Sequence, residues 1–173
     1  MTTSRPSAPL TLTDKGVYTS IVNAKRAPQP ELRLPALPCA CANLRRAARA
    51  VTRIYNRELR AADLELTQYT LLMALGITGE SPQGKLGRIL ALDTTTLTRM
   101  LGSLVKRGWI EGRPGGDRRQ RLLRLTPSGE RKLKQARPFW ERAQERLRRD
   151  LGESNWDQMT GLLVEIARVS TVR

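Results

Sequence analysis

The run Arg113-Pro114-Gly115-Gly116-Asp117-Arg118-Arg119-Gln120-Arg121 constrains this chain more than any other stretch. It holds four arginines, one aspartate and a Pro-Gly-Gly turn, and nothing apolar to bury. Strand-like residues flank it: Trp109-Ile110 before, Leu122-Leu123 and Leu125 after. The pattern predicts a β-hairpin whose charged tip projects from the body. An arginine on so narrow a projection can pair with phosphates or with the edges of bases.

Directly upstream, Asp93 to Leu101 reads as a short helix. Asp93 or Thr94 is its expected cap. Leu97, Met100, Leu101, Leu104 and Val105 fall on an inward face at helical spacing, and Thr95, Thr98, Arg99 and Lys106 face outward. Gly108 supplies the left-handed terminator. A helix with a hydroxyl-rich outer face followed by a basic hairpin is the layout of a winged helix-turn-helix. The expected fold class is mainly α with a small β-hairpin wing.

Charge points the same way. The net charge is +15 over 173 residues, from 31 Lys+Arg against 16 Asp+Glu. Such a balance favours a polyanionic partner, DNA, RNA or an acidic membrane surface, and the clustering of basic residues in the hairpin argues against a merely solvated surface. No apolar run approaches the roughly 20 residues of a membrane span, and the N-terminus lacks a signal-like apolar core. The expectation is a soluble, cytoplasmic protein with no membrane partner. Histidine is absent, which removes Ser-His-Asp and Cys-His catalysis and His-ligated zinc. There is no Walker-type loop, Gly-rich dinucleotide turn or tight carboxylate group. No enzyme activity, cofactor or metal is expected.

Three regions follow. Residues 1–38 hold six of the ten prolines and little apolar periodicity, and read as a proline-rich arm. From Cys39, Leu44, Ala47, Ala48, Val51, Ile54, Tyr55 and Leu59 form one apolar helical face. Thr67 is the expected cap of a second helix through Leu75, which Gly76 and Gly79 interrupt. Ser81-Pro82 is expected to open a third helix through Leu86, Ile89 and Leu90. After the hairpin, Thr126-Pro127 caps and starts a long helix that Pro138 bends and Gly152 breaks. A last helix from about Ser154 aligns Trp156, Met159, Leu162, Leu163, Ile166 and Val169. The winged unit is placed at about 64–126, with dimerisation helices at about 39–62 and 127–173. These long amphipathic helices hold more apolar surface than so small a lobe can cover, so a homodimer is expected, through Trp156, Met159, Leu163 and Ile166.

From about Cys39 onward the chain resembles the MarR family of bacterial transcription regulators. Asp117-Arg118-Arg119 followed by Leu125-Thr126-Pro127-Ser128-Gly129 is similar to the family's wing-to-helix signature. Leu92 to Leu101, then Gly108-Trp109-Ile110, is similar to its recognition helix and first wing strand. The resemblance implies a homodimer on a pseudo-palindromic operator in double-stranded DNA, acting as a repressor that a small-molecule effector or an oxidant releases. It implies DNA contacts from Thr94, Thr95, Thr96, Thr98 and Arg99, and from Arg113, Asp117, Arg118, Arg119 and Arg121. A basic nucleic-acid-binding module without a switch is the alternative.

Cys39 and Cys41 begin the first helix. Residues two apart rarely reach relaxed disulfide geometry. Cys41-Ala42-Asn43-Leu44, then Ala47-Ala48-Arg49, resembles the hydroperoxide-sensing branch of the family, where a cysteine here is oxidised. Tyr55 matches a tyrosine that hydrogen-bonds that cysteine, and Leu66 stands where a second tyrosine would be. Packing, redox sensing and metal binding through a shared or copper site all stay open.

Overall fold

The computed structural model describes residues 37–116 and 120–169. Contacts divide the chain into two units, residues 1–47 and 48–173. Helix α1, Ala40–Leu59, begins in the first. There the Asn43 side chain donates to the Leu37 carbonyl at 2.8 Å and secures the chain entering the helix.

The second unit continues with a 3-10 turn, Arg60–Ala62, then α2 Leu66–Thr78, β1 Ser81–Pro82, α3 Gln83–Leu90 and α4 Thr94–Lys106. Next come β2 Ile110–Pro114, β3 Arg121–Leu125, α5 Pro127–Leu151 and α6 Glu153–Val169. The sheet is antiparallel in the order β1-β3-β2. Ser81 pairs with Leu123, and Ile110 through Pro114 pair with Leu125 back to Arg121. Leu59, Leu71, Leu72, Leu75, Leu86, Leu97, Leu104, Ile110 and Leu123 are fully buried and form the core that all these elements share. Tyr69 stacks on Trp140 at 5.9 Å between centroids and ties α2 to α5.

Three local expectations are corrected. Helix α2 starts one residue before Thr67: Glu65 is its cap, and the Gln68 side chain accepts from the Glu65 amide at 3.1 Å. Gly76 does not interrupt α2 but lies inside it. A Cβ there would stand 2.9 Å from Leu133 Cδ2, so the glycine lets α5 pack close. Ser81-Pro82 does not open a helix. It is a strand, because the buried Ser81 adds a ladder to β3, and α3 begins at Gln83. Within α3, Ile89 is half-exposed, and Leu86 and Leu90 fill the core side.

The expected ends of α4 and α5 stand, and they share one node. Gly108 has φ 68°; its amide donates to Val105 O and that of Trp109 to Leu104 O, at 2.9 and 3.0 Å. This pair of bonds satisfies the last carbonyls of α4. Thr126 Oγ1 accepts from the Gly129 amide at 3.0 Å and donates to Gly108 O at 2.6 Å. One threonine therefore caps α5 and fastens it to the end of α4. A Cβ on Gly129 would stand 2.0 Å from the Trp109 carbonyl oxygen, so only glycine fits. The Leu-Thr-Pro-Ser-Gly motif is thus a packing requirement.

Candidate nucleic-acid interface

Helix α4 is built to show one face. Asp93 Oδ1 accepts from the Thr96 amide at 2.8 Å and Oδ2 from the Thr96 hydroxyl at 2.7 Å. Those bonds, the amide first, hold the Asp93 carboxyl below the usual aspartate range. Leu97, Leu101 and Leu104 are buried, which turns Thr94, Thr95, Thr98 and Arg99 outward and exposed. Thr96 is half-buried with its hydroxyl committed to the cap, so it serves the helix start.

Helix α3 meets α4 through a turn in which Ala91 takes φ 50° and the Leu92 amide donates to Gly87 O at 2.9 Å. Gln83 Nε2 donates to Thr98 Oγ1 at 3.0 Å. A groove of about 950 Å³ runs between α3, the start of α4 and β3, with Gln83, Lys85, Arg88, Thr94, Gln120 and Arg121 on its walls. Gln83, Lys85 and Arg88 were not singled out from sequence. Their signal was available, since the first helix of a helix-turn-helix crosses the backbone its partner reads.

The hairpin is closed by the Gly115 amide donating to Gln120 O at 2.8 Å. Arg121 is exposed, and its guanidinium lies over Gly112, where a Cβ would be 2.4 Å from Nε. Arg113 is held by Glu80, Nε to Oε1 at 2.6 Å and Nη2 to Oε2 at 2.5 Å. Asp117, Arg118 and Arg119 lie outside the described residues.

The other singled-out residues lie elsewhere. Cys39 and Cys41 are exposed and unbridged. Tyr55 is buried, its hydroxyl donates to Gln144 Oε1, and burial raises its pKa. Trp156 and Met159 are half-buried, and Leu163 and Ile166 are each 47% exposed.

The chain matches the MarR family model over residues 62–120, which takes in α2 through β2 and stops before β3. It is 37% identical over 78 residues to the multiple antibiotic resistance protein MarR of Salmonella typhimurium, covering 44% of this chain and 54% of that protein. The match thus takes in about half the length of that relative. A transcriptional regulator of M. tuberculosis, MosR, solved in complex with DNA, superposes with a TM-score of 0.70 at 29% identity. That alignment covers 76% of this chain and 96% of MosR.

Over residues 62–120 the chain is similar to the MarR family. A probable transcriptional regulator from Pseudomonas aeruginosa also superposes, with a TM-score of 0.68 at 27% identity, over 73% of this chain and 96% of that one. In this winged-helix fold, α3 and α4 are the helix-turn-helix and β2–β3 the wing. Among the described residues no helix is long and apolar enough to cross a membrane, and no three His, Cys, Asp or Glu side chains gather as a metal would need.

Proposed function

We propose that the chain is a dimeric, sequence-specific DNA-binding transcription regulator, a repressor that a small signal releases. The exposed hydroxyl-and-arginine face of α4, set beside a basic wing, carries this reading. Thr95, Thr98 and Arg99 meet base edges in the major groove, and Thr94, at the helix start, meets a phosphate. Arg121 serves the wing, and Arg118 and Arg119, outside the described residues, are proposed to serve it too. Helix α6 supplies the dimer contact, because its apolar side is uncovered in the single chain. Replacing Arg99 with Ala should weaken operator binding by about 1–3 kcal/mol. Unchanged affinity in that variant would remove α4 from the interface.

The signal is read at Cys41. It is exposed at the start of α1, within reach of an oxidant in solution. An organic hydroperoxide oxidises such an exposed thiol to a sulfenic acid with loss of the alcohol, and operator affinity falls until a thiol reductant restores it. Gel-shift titrations of wild type and Cys41→Ser, with and without peroxide, test this. Equal peroxide sensitivity in both, or none in the wild type, would leave a small-molecule effector as the signal.

A further inference from the structure

The wing carries arginines of two kinds. Arg121 is exposed and meets no carboxylate among the described residues. Arg113 and Arg124, on the outward face of the sheet, are both paired. Arg124 Nε donates to Glu111 Oε1 at 2.6 Å, directly across the β2–β3 ladder. Arg113 makes a two-pronged pair with Glu80, the residue that leads from α2 into β1. Parallel N–H···O bonds of this kind are the strong, geometrically specific form of an arginine–carboxylate contact. The Glu80 side chain is 28% exposed, against 62% for Arg113, so the carboxylate is the better sheltered partner. The Arg113 hydrogen bond is the leading reason that the Glu80 carboxyl sits below its ordinary range.

An arginine in this state has its charge matched and both prongs used. Reaching a phosphate would cost two charge-assisted bonds and leave Glu80 facing the polyanion. We propose that Glu80 is a specificity-determining residue: its pair with Arg113 withholds that arginine from phosphate, so the base of the wing aims the hairpin without adding to sequence-independent attraction. The inference rests on the DNA-binding reading above, and it removes Arg113 from the DNA contacts expected from sequence. Its consequence is a ceiling on binding to random duplex, which sets how far an operator stands out.

The test is the salt dependence of binding to a random-sequence duplex by full-length protein, read by fluorescence anisotropy from 50 to 200 mM salt. Each phosphate neutralised contributes about 0.9 to the slope, or about 3.5-fold in affinity across that range. The Arg113→Gln variant should keep the wild-type slope. Glu80→Gln should bind random duplex more tightly at 50 mM and steepen the slope by about 0.9 per wing. The double variant should return to the wild-type slope. Glu130→Gln removes one negative charge from an exposed site that does not touch Arg113, and should leave the slope alone. A slope that flattens in Arg113→Gln alone, or does not move in Glu80→Gln, overturns the inference. A wild type that binds no duplex at any salt would instead overturn the DNA-binding reading beneath it.

Discussion

Single residues set the joint between α4 and the rest of the lobe. Gly108, Trp109, Thr126 and Gly129 meet at one point, where the end of α4, the residue leading into β2 and the start of α5 exchange bonds. The Trp109 ring adds to it, with the Arg107 guanidinium 4.9 Å and the Lys132 ammonium 5.0 Å from its centroid. Gly129→Ala drives a methyl into the Trp109 carbonyl, and neither backbone can yield without moving α5 or β2. Destabilisation of about 1–3 kcal/mol is expected, as for other overpacked sites. A urea midpoint equal to wild type would show that the joint gives way freely. The role of Thr126 as a cap was legible in sequence, because Thr-Pro before a helical run is a start signal. Its donation to Gly108 was not, because that partner lies 18 positions away in the chain.

Among the elements, α4 shows most clearly how local chemistry serves the site. Asp93 fixes its start through two bonds, and Asp93→Ala should cost about 1 kcal/mol of stability. The pH dependence has a definite sign. The folded pKa of Asp93 lies below its ordinary 3.8, and that of Glu80 below its ordinary 4.5. Each contributes stability above those values that is lost as pH falls through the folded pKa. With no histidine in the chain, stability should stay flat from roughly pH 5 to 8 and drop in acid. The acid drop should shrink in the Asp93→Asn and Glu80→Gln variants, and denaturant midpoints across pH check it. A wild-type profile that falls already near neutral pH would contradict this assignment. Periodicity revealed α4 and the hairpin well, since their apolar positions answer to their own helix or strand. It misread β1, because two residues carry no period. Ser-Pro is also a common helix start, and only the pairing of Ser81 with Leu123 marks it as strand.

For the whole molecule, the single chain leaves an apolar face on α6 that its own core does not use. Leu162, Leu163, Val164, Ile166 and Val169 are all at least 47% exposed. Removing the residues after Asp150 should give monomeric or aggregated protein with no operator binding, seen by analytical ultracentrifugation and anisotropy. A soluble, monodisperse truncate that binds at full strength would contradict the proposed dimer. This face was legible as a stripe in the sequence, whereas the partner it needs lies outside any one chain.

The central claim is that two copies of α4 and its wing read DNA together. Selection of bound duplexes from a random-sequence pool, at one fixed salt concentration, tests it most directly. The account predicts enrichment of a pseudo-palindrome whose half-sites lie about 10 base pairs apart, one helical turn, so that paired recognition helices enter successive major grooves. Recovery of unenriched sequence, bound no more tightly than the starting pool, would contradict it.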